Sequence, residues 1–106
     1  MAKYVLVYQG GSMPETEEEM AAVMQAWTAW YGGLGSAVAD PGNPFTPMAK
    51  GVAPDGTVSD GPVGSMASGY TILEAGSLEA ATEMARGCPV LSGGGSISVF
   101  ETFEVM

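Results

Sequence analysis

The sequence predicts an α+β domain, a split β-α-β sheet carrying an inserted hairpin and loop, with both helices on one sheet face. Three observations predict it. The chain opens on a continuous apolar and β-branched run, KYVLVYQ, residues 3 to 9. Two later stretches space their apolar residues three and four apart, as amphipathic helices do, and each follows a strand-like run. Between these two halves lies a block with Pro at 41, 44, 47, 54 and 62, which excludes helix there. At 106 residues the chain has room for one hydrophobic core, so residues 1–106 are read as a single domain.

Each element has its own signal. The 3–9 run is apolar on both alternating faces, as in a central strand covered on both sides. In GGSMPE, Ser12 and Glu15 have capping-box spacing and Pro14 falls in a first helical turn, so a helix is expected to start there. Glu17, Glu18 and Glu19 then sit near the positive end of its dipole. Met20, Val23, Met24, Trp27, Trp30, Tyr31 and Leu34 form its apolar stripe, and the glycines at 32, 33 and 35 end it. A short strand is expected over Ala37 to Ala39. Lys50 to Ala53 and Thr57 to Ser59 flank Pro54-Asp55-Gly56, whose turn chemistry predicts a hairpin. GYTILEA, residues 69 to 75, reads as a strand, and Ser77 caps a helix bearing Leu78, Ala81, Met84 and Ala85, stopped by Gly87 and Pro89. ISVFETFEVM, residues 97 to 106, is expected to form one long last strand, with Phe100 facing away from Ile97, Val99, Phe103 and Val105.

The resulting order is that of ferredoxin-like folds, in which two helices cover one face of the sheet. The other face, apolar in several strands, needs cover, and the same face of a second subunit supplies it, so a homodimer through the sheet is expected.

Composition narrows the function. Twelve carboxylates against Lys3, Lys50 and Arg86 give a net charge of -9, which repels phosphate backbones and anionic bilayers, so neither nucleic acid nor membrane is expected as a partner. No run approaches the length of a membrane span or a signal-peptide core. The single Cys88 cannot form a bridge within the chain, and a chain of this kind suits the cytoplasm. Histidine is absent, which removes the commonest general base and metal ligand. No metal or cofactor is expected: Asp40, Asp55 and Asp60 lack calcium-loop spacing. YQGGS, strand then Gly10-Gly11 then helix, lacks the P-loop lysine and is followed by glutamates that repel phosphate, so it reads as a tight turn. Cys88, between Gly87 and Pro89 at a helix C-terminus, reads as a buried structural thiol.

Two groups of residues remain as site candidates. Trp27, Trp30 and Tyr31 cluster on the first helix opposite Tyr8 and Tyr70 of the strands. Core packing is the plain reading of such a cluster; the other is a ligand cleft, since Trp and Tyr carry polar groups that a ligand or water can pair. Asp40 in ADPGNPF and Asp60 in SDGPV sit in loops fixed by Pro and Gly. They serve as turn formers or, aimed inward, as the acid–base groups of an enzyme.

SDGPV, GYTILEAGSLEAATEMARGCPVL and GGSISVFETFEV, taken in order, resemble the YCII-related family, of the type also called DGPF-domain proteins. The first strand and helix fit as well, so the resemblance spans nearly the whole chain. It implies a ferredoxin-like subunit of the dimeric α/β-barrel kind. Some relatives are associated with lyase or dehalogenase-type chemistry on chlorinated aromatic compounds, and some members carry a proposed His and Asp pair with the His on the first helix. This chain has no His, so that pair does not carry over. The signature itself is altered: Asp60, Gly61 and Pro62 match, while Val63 replaces the aromatic, leaving Asp60 as the one polar position the resemblance singles out.

The reading that follows is a small dimeric protein binding a neutral or cationic, partly aromatic molecule beside the first helix, through Tyr8, Trp27, Trp30, Tyr31 and Tyr70. The alternatives are a cofactor-free lyase, dehalogenase or monooxygenase-like enzyme using Asp60 or Asp40, and an acidic protein-interaction module.

Overall fold

The computed structural model of the chain describes residues 2–11 and 14–104. Strand β1 (Ala2–Gln9) is followed by helix α1 (Glu17–Leu34), then by strands β2 (Val38–Asp40), β3 (Lys50–Val52), β4 (Val58–Asp60) and β5 (Gly69–Ala75). Helix α2 (Leu78–Ala85) and strand β6 (Ser96–Glu101) complete the described strands and α-helices. The architecture is α+β: a four-stranded antiparallel sheet in the order β2-β5-β1-β6, and a separate two-stranded hairpin of β3 and β4.

β1 is central, pairing Leu6 with Thr71 of β5 on one side and with Val99 of β6 on the other. Because side chains alternate along a strand, the register sorts the residues into two layers. Tyr4, Leu6 and Tyr8 of β1 and Thr71, Leu73 and Ala75 of β5 point into the core and are buried. There Ala81, Ala85 and Cys88 meet them from α2 and the turn that follows it, while Trp27, Trp30 and Leu34 reach the same cluster from α1. The opposite face carries Val5, Val7 and Ile72, half-buried, and Phe100, exposed, with Val5 paired to both Ile72 and Phe100; both helices pack on the core side.

The elements depart from the sequence reading where local spacing is ambiguous or a strand leaves its neighbour early. The capping box placed at Ser12 lies outside the described residues. The described helix begins one box later: Thr16 is the N-cap, its hydroxyl accepting from the Glu19 amide at 3.1 Å while the Glu19 carboxylate accepts from the Glu15 amide at 2.9 Å. Gly32 and Gly33 belong to the last turn of α1, and Gly35, at φ 57°, is the residue that ends it. A short 3₁₀ turn, Gly35–Ala37, then moves β2 one residue beyond its expected start. The hairpin and β5 follow the expected spans closely, and α2 is capped by Ser77, whose hydroxyl accepts from the Ala80 amide at 3.1 Å. β6 stops at Glu101, the partner of Tyr4: at the next position the Lys3 carbonyl accepts from both the amide and the hydroxyl of Thr102, while β1 runs on to Ala2 along β5 alone. Phe103 is exposed, and Val105 lies outside the described residues.

The apolar stripe of α1 is covered only in its C-terminal half. Trp27, Trp30 and Leu34 pack on the core, whereas Met20, Val23 and Met24 stay exposed. The N-terminal half of the helix overhangs a glycine-lined opening that has few side chains to meet it.

Candidate functional site

That opening is a cleft of about 1080 Å³ across the end of the sheet, roofed by α1. Its floor runs from the loop Pro41–Pro44, past Ser68 and Gly69 and then Tyr8, Gly10 and Gly11, to Pro89, Val90 and Gly93. The loop can lie so close because residue 42 is glycine: it adopts φ 72°, and a Cβ there would fall 1.8 Å from the Tyr70 carbonyl oxygen.

Four of the aromatic residues singled out from the sequence form one continuous wall. The Tyr8 and Trp27 rings meet edge to face with centroids 5.5 Å apart, Trp27 lies 5.7 Å from both Trp30 and Tyr31, and Trp30 and Tyr31 are 5.2 Å apart. The edge-to-face pairs Tyr8–Trp27 and Trp27–Trp30 have a preferred geometry of aromatic quadrupoles, while the two pairs with Tyr31 are tilted. Tyr70 borders the same cleft, but alternation along β5 turns its ring to the opposite face, where it stacks on Phe45 with centroids 5.8 Å apart.

Most polar groups of the wall are already paired. The Tyr8 hydroxyl donates to the buried Thr71 hydroxyl at 2.6 Å, which donates in turn to the Pro41 carbonyl at 2.9 Å. Tyr31 donates to that same carbonyl at 3.1 Å. The Trp30 indole N–H donates to the Met84 carbonyl at 3.0 Å, tying α1 to the end of α2. The Trp27 indole N–H alone of these donors forms no hydrogen bond among the described residues.

Burial sets the protonation states. It pushes the Tyr8 hydroxyl far above the usual phenol range, outweighing the opposing hydrogen bond to Thr71. It also raises Tyr31, again against the pull of Thr71. The Cys88 thiol, buried beside Tyr8, is raised by the same desolvation against smaller opposing effects of the Val90 amide and the Tyr8 hydroxyl. These groups are neutral at pH 7, and a thiol of this kind is a packing residue. Thr71 is the member of the site that sequence reading missed; its signal was a polar residue at an inward position of an otherwise apolar strand.

The two aspartates lie elsewhere. Asp40 is exposed and accepts from the Gly42 amide at 2.8 Å, an Asx turn that shapes the loop. Asp60 stands at the end of β4, exposed and paired with Lys50 across the hairpin. Neither lines the cleft, and no charged side chain is among its described lining residues.

Among the described residues no three His, Cys, Asp or Glu side chains gather to hold a metal ion, and no helix is long and apolar enough to cross a membrane. Compared with known families and with curated proteins, the chain matches no family model and no curated protein.

Proposed function

We propose that this chain binds a small, uncharged, flat aromatic molecule in the cleft beneath α1, as one subunit of a homodimer. The observation that carries the ligand reading is a wall of Tyr8, Trp27, Trp30 and Tyr31 on a cleft with no charged residue among its described lining. Stacking on such a wall favours a π-system, and burial there penalises a charge that no side chain pairs. The uncommitted Trp27 N–H adds a requirement for a hydrogen-bond acceptor on the ligand. A ferredoxin-like subunit is supported by the sheet order β2-β5-β1-β6, with a β-α-β unit at each end of the chain. The segments that resemble YCII-related proteins fall on β5, α2 and β6 in the order that family has them. The homodimer is supported by the bare face of Val5, Val7, Ile72 and Phe100, and the single buried thiol suits a reducing, cytoplasmic setting.

Both tryptophans of the chain belong to the wall, so intrinsic fluorescence excited in the tryptophan band reports on the cleft alone. Titration with a series of neutral mono- and bicyclic aromatic compounds is expected to change that fluorescence saturably. Trp27→Ala, followed by calorimetry, is expected to weaken the best binder about tenfold or more with circular dichroism unchanged. A series that leaves the fluorescence unmoved, or a binder indifferent to Trp27→Ala, defeats the assignment.

A further inference from the structure

The long segment between β2 and β5 bears a surface that the rest of the subunit does not cover. Among the described residues β3 and β4 pair only with each other, over three residues each. An isolated two-stranded ribbon is marginal in water, and the exposed Lys50–Asp60 pair adds little to it. Asp55 accepts from the Thr57 amide at 2.9 Å and so shapes the turn. Val63 covers one face of the ribbon over Gly51. On the other face the cross-strand partners Val52 and Val58 remain 63% and 61% exposed, and nearby Met48 is 82% exposed.

The whole subunit shows the same excess. Its accessible surface is 7335 Å², whereas a compact monomer of this size exposes about 5,500 Å². The surplus of about 1,800 Å² exceeds the roughly 800 Å² that each partner buries in a standard interface. The radius of gyration, 15.2 Å, likewise exceeds the roughly 13 Å of a compact chain of this length.

We propose that this ribbon is a clasp that grips a second copy of the chain, laying Val52 and Val58 against the partner subunit as the two sheet faces come together. The inference rests on the homodimer reading above and adds to it where the second subunit is held. Two observations select a second copy as the occupant. The ribbon is rooted on the bare sheet face, because Phe45 stacks on Tyr70, whose ring lies on the side of Val5, Val7 and Ile72. The segment that leads into the ribbon therefore leaves the body from the bare sheet face, so a two-fold contact through that face brings the ribbon of each copy close to the other. Charge agrees. Lys3 on β1 stands opposite Glu74, and Lys50 pairs with Asp60 on the ribbon, so two of the chain's three cations lie on this surface and a second acidic copy meets less repulsion here than at the start of α1.

Sedimentation equilibrium on the full chain tests the clasp through two variants. The wild type is expected to be a dimer at micromolar concentration. Val52→Asp combined with Val58→Asp is expected to weaken it about a hundredfold, with circular dichroism unchanged because both side chains lie outside the core. A ribbon variant that dimerises like wild type, while Phe100→Asp on the sheet face does not, overturns the clasp and leaves the sheet-face dimer standing. A monomeric wild type overturns both. Peroxide footprinting supplies a readout on unmutated protein: Met48 is expected to be protected at high concentration and oxidised on dilution, with Met24 of α1 oxidised at both. Equal oxidation of Met48 at the two concentrations overturns the clasp.

Discussion

Thr71 joins three parts of the molecule through one oxygen. Its hydroxyl is fully buried, accepts from Tyr8 and donates to Pro41, so β1, β5 and the loop after β2 share a chain of hydrogen bonds inside the core. Such a chain holds only while Tyr8 keeps its proton, and this dictates how stability varies with pH. Tyr8 and Cys88 titrate higher in the folded protein than in the unfolded chain, so the fold binds their protons more tightly. Below about pH 8 both states keep these protons and the stabilisation is complete; above it the unfolded chain releases first the thiol and then the phenol proton, and stability falls as pH rises. The urea midpoint is therefore expected to be lower at pH 10 than at pH 7. Tyr8→Phe is expected to cost about 1 kcal/mol at pH 7, one net hydrogen bond, and to make the alkaline decline shallower. An equally steep decline in the variant would place the titrating group elsewhere.

At the scale of elements, the two helices differ in how much rests on their caps. α2 buries Ala81 and Ala85 in the core, so loss of its Ser77 cap loosens packed structure. Ser77→Ala is expected to lower the unfolding free energy by about 1 kcal/mol, read as a shift of the urea midpoint at constant slope. α1 buries no residue, so Thr16→Ala is expected to act locally, speeding amide exchange at residues 17–20 while the midpoint moves less. The same contrast explains which elements were legible in the sequence. β1, β5 and α2 follow their sequence signals because apolar pattern, cap and packing agree. The start of α1 did not, because Ser12-x-x-Glu15 and Thr16-x-x-Glu19 have the same spacing and nothing local chooses between them. The end of β6 did not, because the apolar alternation runs on through Phe103 and Val105, whereas the ladder to β1 closes at Glu101 and the Thr102 side chain turns to the Lys3 carbonyl. The aromatic wall was legible as helical spacing. The site's polar chain was not, since the Pro41 carbonyl is invisible to any pattern of side chains and becomes an acceptor only through the fold.

The whole molecule is a slab 18 Å thick and 44 by 39 Å across, two layers with one broad face uncovered. Nine excess negative charges are spread over it, densest where Glu15, Glu17, Glu18 and Glu19 crowd the start of α1. Mutual repulsion of this kind destabilises a compact state and is screened by salt. Raising sodium chloride from about 20 to about 500 mM is expected to raise Tm by a few degrees, with most of the gain below about 200 mM, where the Debye length shrinks fastest. A Tm that falls over this range would show that charge repulsion is not what salt chiefly relieves. The paired donations to Pro41 also have a bearing on traffic. Tyr31 of the roof and Thr71 of the core beneath are fastened to a single oxygen, and that stitch holds α1 to the Pro41 loop at the edge of the cleft. A molecule beneath α1 thus meets a wall pinned to the Pro41 carbonyl, while Gly10, Gly11 and Gly93 elsewhere in the lining offer it no side chain. Parting Tyr31 from the Pro41 loop to widen that edge costs a hydrogen bond, so the wall a guest stacks on is held in place before it arrives.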